Sequence, residues 1–137
     1  MLPITYLFVP ADRPERFAKA RSSGADLIVI DLEDAVAPDA KRLARSHAAE
    51  ALGSAEHGAC LRVNGVNSAW FAEDCELLAL PGVATVMVPK AESADDLCRL
   101  AARLGAGVSL IPVIETARGL AAAPRLAACA QVQRLVH

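Results

Sequence analysis

Short apolar runs rich in β-branched residues recur along this chain, each followed by a longer helix-like stretch. That alternation limits the possible folds more than any other feature. The runs are Tyr6–Val9, Leu27–Ile30, Cys60–Val63, Ala84–Val88 and Ser109–Ile114, and Arg134–His137 opens a sixth. Near-continuous apolar runs suit strands buried on both faces, the parallel-sheet case. Helical patterns fill the gaps. The first covers 13–22, with Asp12 as a candidate N-cap and Pro14 in the first turn. The second covers 40–52 and ends at Gly53. The third covers 68–80, before Pro81-Gly82. The fourth covers 93–104, opening on Ser-Ala-Asp-Asp with acids at the positive helix end. The fifth covers 116–126, where Pro124 predicts a break or a new turn. The resulting order is strand-helix throughout, a parallel α/β architecture with right-handed crossovers.

At 137 residues the chain has the length of one domain. A 54% hydrophobic and 22% charged composition excludes wholesale disorder. Only 4% aromatics and a net charge of -2 argue against a nucleic-acid partner. No apolar run reaches the roughly 18 residues of a membrane span, so no membrane partner is expected. The N-terminus lacks the basic region of a secretory signal. Cysteines 60, 75, 98 and 129 form no CxxC pair. They read as reduced, mostly buried thiols of a cytoplasmic protein.

Two parallel folds compete. A doubly wound sheet closes with five or six strands. A (β/α)8 barrel needs eight strands and typically about 250 residues. Length favours the first, but the polar residues favour the second. They sit at the C-terminal end of strand after strand: Pro10 to Arg13, Asp31 to Asp34, Arg62 to Gly65, Lys90 and Glu115. A barrel gathers all strand ends into one mouth. No nucleotide-binding glycine motif follows any strand.

Those strand-end residues are the candidate site. Asp31-Leu32-Glu33-Asp34 places three carboxylates in four residues after an apolar strand. It reads either as a metal-site wall or as an N-cap and solvated turn before Pro38. Arg62 inside an apolar strand reads as an anion-binding or enolate-stabilising group, or as an ion pair with Asp31, Glu33 or Asp34. Glu115 reads as a Mg²⁺ ligand or as a first-turn helix acid. Lys90 reads as an anion binder, a partner of a site acid, a Schiff-base lysine or a solvated loop residue. His47 and His57 are expected at the surface, and no catalytic triad assembles.

Taken together, five segments resemble one family. They are Tyr-Leu-Phe-Val-Pro-Ala-Asp-Arg-Pro-Glu-Arg (6–16), Asp-Leu-Glu-Asp-Ala-Val-Ala-Pro (31–38), Leu-Arg-Val-Asn-Gly (61–65), Val-Pro-Lys (88–90) and Ile-Glu-Thr-Ala-Arg-Gly (114–119). In order and across essentially the whole chain, they resemble the HpcH/HpaI aldolase and citrate lyase β-subunit family, nearest its acyl-CoA lyase branch. The resemblance implies a (β/α)8 TIM barrel of the phosphoenolpyruvate/pyruvate type. Residues 1–137 would be the N-terminal part of a single lyase domain, with about five and a half β/α units.

It also implies Mg²⁺-dependent carbon–carbon cleavage of a β-hydroxyacyl-CoA such as citryl-CoA, malyl-CoA or citramalyl-CoA. The alternatives are an aldolase cleaving free 4-hydroxy-2-oxo acids and a non-catalytic degenerate homologue. Carried over by motif, Glu115 is the first metal carboxylate, and a second is expected beyond His137. Glu33 and Asp34 hold metal-bound waters or substrate. Arg62 is catalytic and binds substrate, and Arg13 lies near the acyl-CoA entrance. The implied partners are a small organic acid or acyl-CoA and further copies of the chain in a trimer or hexamer.

Overall fold

The computed structural model describes residues 2–137. Five strands form one parallel sheet in the order β1-β2-β3-β4-β5. They are β1 (Tyr6–Pro10), β2 (Leu27–Asp31), β3 (Ala59–Arg62), β4 (Val83–Val88) and β5 (Ser109–Pro112). Each lies within one or two residues of an apolar run. The sixth run makes only isolated parallel bridges, Leu110 to Val132 and Val113 to Val136.

Five α-helices follow the strands: α1 (Phe17–Arg21), α2 (Lys41–Leu52), α3 (Phe71–Asp74), α4 (Ala94–Ala101) and α5 (Ala117–Ala127). Single 3₁₀ turns precede α1 and α2, and one extends α3 to Ala79. Ser93 caps α4 by accepting from the Asp96 N–H, and Thr116 caps α5 by accepting from the Gly119 N–H. Two local expectations fail. Asp12 caps nothing; Arg13 occupies the cap position of the first turn, without a side-chain cap bond. Pro124 does not end α5, which runs on to Ala127. The carbonyl that Pro124 leaves without its donor belongs to Leu120, at a 68% exposed position where water is at hand.

Sheet order decides how the layers lie. Sequential order has no reversal point, and a doubly wound sheet requires one. The two faces differ accordingly. One face carries Val9, Ile30, Leu61, Val86 and Leu110 under helix residues such as Ala44, Leu97 and Leu126, forming the main core. The other carries Val29, Cys60, Met87 and Ile111, packed only with strand and chain-end residues such as Tyr6 and Val136. Alternation along each strand separates the two sets. All strands run the same way, so their C-terminal ends lie along one rim.

Candidate functional site

The site grows from the register of two neighbouring strands. Asp31 ends β2, Arg62 ends β3, and the two are paired across the ladder. Paired positions on parallel neighbours point to the same side, here the helix-free face. Arg62 donates from Nε to Asp31 Oδ1 at 2.7 Å and from Nη2 to Oδ2 at 2.6 Å. This fork matches a planar guanidinium to a carboxylate. Phe8, two strands over on β1, lies beneath the guanidinium, 4.9 Å from ring centroid to Cζ.

Asp31 is fully buried. Its Oδ1 also accepts the Glu33 N–H at 2.8 Å, bending the chain two residues on. Burial works against the Arg62 charge, but the Asp31 hydrogen bond and the nearby carboxylates outweigh it and hold its pKa above the ordinary value.

That bend turns Glu33 toward the same rim. Its Oε1 accepts from Lys90 Nζ, and its Oε2 lies 3.3 Å from Arg62 Nη1. The Oε2 contact lacks hydrogen-bond geometry, so this buried oxygen has no hydrogen-bond partner. Lys90 follows β4 with φ of 50°, in the left-handed region where a side chain costs energy. Its backbone N–H donates to Glu115 Oε2 at 2.7 Å. One strained residue thus joins the ends of β2, β4 and β5. The hydrogen bond to Glu33 raises the Lys90 pKa. A Schiff-base lysine needs a neutral amine, so this environment works against that role.

On the helix side of the same rim lies a second polar network. Lys41, the first residue of α2, is buried. Its Nζ donates to the carbonyls of Leu32 and Glu33 and to Asn64 Oδ1, at 2.6, 2.7 and 2.8 Å. It also sits 5.0 Å from the Trp70 ring centroid. Burial pulls the Lys41 pKa down. Asn64 donates through both its backbone N–H and Nδ2 to Asp74 Oδ2, each at 2.7 Å. Asp74 is fully buried and also pairs with Arg45 at 3.3 Å. Burial raises its pKa, against the hydrogen bonds from Asn64 and Arg45.

A cleft of about 570 Å³ opens beside the two networks, lined by Glu33, Asp34, Asn64, Trp70, Lys90 and Thr116 among others. The predicted residues therefore meet unequally. Arg62, Glu33 and Lys90 form one cluster. Asp34 lines the cleft, 71% exposed and 3.7 Å from Lys90 Nζ. Glu115 joins through the Lys90 backbone. Arg13 stays apart, paired at 3.6 Å with Glu15 on the exposed β1–α1 loop. The N-cap alternative for the acidic run fails, since Asp31 and Glu33 are buried and the following 3₁₀ turn has no side-chain cap.

Sequence reasoning missed Lys41, Asp74 and Arg45, and singled out Asn64 only as a strand-end neighbour of Arg62. A signal was there: Lys41 falls on the buried stripe of α2 with Ala44, Ala48 and Leu52. Asp74 likewise falls in register with buried Leu77 and Leu78. A charge on an apolar stripe demands a partner.

The donor set also bears on a metal. Glu115 is an exposed hard-oxygen donor, and Glu33 keeps an oxygen free of hydrogen bonds. No group of three or more Asp, Glu, His or Cys residues placed to hold an ion occurs among the described residues. Mg²⁺ commonly takes one or two carboxylates with waters and substrate oxygens, so Glu115 fits as a single protein ligand.

The HpcH/HpaI aldolase/citrate lyase family model matches residues 5–136. The chain belongs to that family. A citrate lyase subunit beta-like protein of Mycobacterium tuberculosis is 44% identical over 123 residues, covering 90% of this chain and 42% of that relative. An L-malyl-CoA/beta-methylmalyl-CoA lyase of Cereibacter sphaeroides is 36% identical over 119 residues, covering 82% of this chain and 35% of the relative. The chain thus spans less than half the length of these family members. A solved structure of the M. tuberculosis protein CitE, in complex with magnesium, acetoacetate and coenzyme A, superposes with a TM-score of 0.83 at 40% identity. It covers 98% of this chain and 49% of that one. The α/β fold with its parallel sheet is that of these family structures.

Proposed function

We propose that this chain is the N-terminal part of a single (β/α)8 barrel domain of the phosphoenolpyruvate/pyruvate type. The whole protein would be a Mg²⁺-dependent carbon–carbon lyase acting on a β-hydroxyacyl-CoA such as citryl-CoA, malyl-CoA or citramalyl-CoA. The sequential sheet, with helices on one face, supports the barrel. Relatives named as citrate-lyase-β-like and malyl-CoA lyase proteins support the reaction class. A homo-oligomer, trimer or hexamer, working in the cytoplasm completes the reading.

The observation that carries the proposal is the fixed Arg62–Asp31–Glu33–Lys90 cluster on the rim. Splitting the C–C bond of a β-hydroxyacyl group leaves an enolate, so catalysis needs fixed positive charge where oxygen becomes negative. Arg62 supplies it. Asp31 grips one edge of the guanidinium and fixes its plane, so little reorganisation is needed as charge develops. Lys90 adds a second cation, 51% exposed and within reach of a substrate carboxylate. Glu33 holds both cations apart and oriented, and Asp34 faces the cleft where polar substrate atoms enter. Arg13, on its exposed loop, would meet the acyl-CoA near its entrance. Glu115 would hold Mg²⁺, which when bound supplies Lewis-acid stabilisation of developing oxyanion charge.

The test is isothermal titration of the full-length protein with Mg²⁺ and oxaloacetate or pyruvate. Metal-dependent binding is expected, and absence of binding for both acids overturns the proposal. Activity assays on CoA thioesters against free 4-hydroxy-2-oxo acids then separate lyase from aldolase. Turnover of the thioesters is expected, and turnover of the free acids alone overturns the substrate class.

A further inference from the structure

We infer that Cys98 and Cys129 form a reversible disulfide that ties α4 to the end of α5. The two sulfurs lie 2.7 Å apart although 31 residues separate them in sequence. Cys98 is exposed on α4, while Cys129 is buried just beyond α5. Cys129 Sγ also reaches the Ala94 carbonyl at 3.4 Å, so it sits against the first turn of α4. The pair therefore combines a sulfur that solvent oxidants can reach with a covered sulfur placed to attack it. Burial, reinforced by the hydrogen bond to Cys98, pushes the Cys129 thiol up to about 11. Cys60 and Cys75 are buried, and burial raises the pKa of both thiols.

The oxidant is a hydroperoxide. The Cys98 thiolate attacks its terminal oxygen and the O–O bond breaks. The sulfur becomes a sulfenic acid and the alkoxide leaves as alcohol after taking a proton. Cys129 Sγ then attacks the Cys98 sulfur. Its own proton goes to solvent, and the sulfenic hydroxyl departs as water. Two thiols and one hydroperoxide give one disulfide, one alcohol and one water. A dithiol reductant reverses the bond by exchange.

The experiment treats the protein, at its full natural length, with equimolar tert-butyl hydroperoxide, followed by intact mass measurement and peptide mapping. The expected result is loss of two hydrogen masses, one peptide linking Cys98 to Cys129, and reversal by dithiothreitol. Cys60 and Cys75 should remain free, and the melting temperature should rise on oxidation and fall back on reduction. The Cys129→Ser variant should stop at a sulfenic acid on Cys98 that dimedone traps. Oxidation of Cys98 to sulfinic acid with Cys129 still free, or disulfides formed only between molecules, would overturn the inference.

Discussion

The rim of the sheet holds two charged networks a few residues apart, one on each side of the end of β2. On the helix-free side Asp31, Arg62, Glu33 and Lys90 meet. On the helix side Lys41, Asn64, Asp74 and Arg45 meet. Residue chemistry is alike in the two. Surroundings are not. The helix-side network lies under α2 and α3, and the Lys41 ammonium spends its donors on two main-chain carbonyls and Asn64. It holds the bend after β2 in place. The other network ends in a half-exposed lysine, an exposed Asp34 and an acidic oxygen without a hydrogen bond. It keeps unspent charge beside a cleft. Buried charge that is fully satisfied reads as scaffold, whereas buried charge left partly unsatisfied at an opening reads as chemistry.

Removing one member from each side breaks that contrast most directly. Asp74→Ala takes the acceptor from the Asn64 N–H in a covered place, while Arg45 keeps Glu73 and Asn64 Nδ2 keeps the Leu32 carbonyl, and should cost about 1–3 kcal/mol of stability. Urea unfolding measures it, and activity per folded molecule should change little. A drop in activity at full stability would move Asp74 into the chemistry. On the other side, Arg62→Lys keeps a positive charge for Asp31 but loses the planar fork. Under the proposed lyase function, turnover by the full-length protein should fall about 10²-fold with a modest change in melting temperature. A melting collapse with undiminished activity per folded molecule would make Arg62 scaffold as well.

Smaller effects sharpen the contrast. Lys90→Ala removes the hydrogen-bond donor of the buried Glu33 carboxylate, which keeps only Arg62 at 3.3 Å, so stability should fall by about 1–2 kcal/mol. Substrate KM should rise, as steady-state kinetics would show; unchanged kinetics would deny Lys90 a role in binding.

The mildest change lies outside both networks, at Asp26. N–H groups of Thr5 and Ile4 donate to its Oδ2 at 2.8 and 2.9 Å and hold its pKa below the ordinary aspartate value. A depressed folded pKa contributes stability that is complete above the unfolded value, about 3.9, and is lost as pH falls through the folded one. Acid should therefore loosen the entry to β1. Protection factors of the Ile4 and Thr5 amides should fall below about pH 4, and Asp26→Asn should flatten that dependence.

Much of this was legible in the residues, and the failures have causes. Five strands followed from uninterrupted apolar runs, because a strand covered on both faces tolerates few polar side chains. Ser93 and Thr116 announced the starts of α4 and α5, since capping depends on a few neighbouring residues. Pro124 misled because its missing donor is harmless at an exposed turn. Arg13 was singled out by motif alone, and it lies on an exposed loop outside the cluster, 3.6 Å from Glu15. Lys41 and Asp74 escaped notice because single charges on short helices resemble solvated surface residues until the buried stripe is traced.

The sequence by itself determined the alternation of strand and helix, the five strand-end motifs and the family they belong to. These rest on local patterning, which a linear string records. Only the tertiary structure decided which carboxylate Arg62 grips. It paired the ends of β2 and β3 and so set Asp31 opposite Arg62, ahead of Glu33 and Asp34. It alone placed Lys90 between Glu33 and Glu115 and brought Cys98 against Cys129. Those contacts join residues 25 to 57 positions apart. Register and crossover geometry set such distances, and residue spacing along the chain does not encode them.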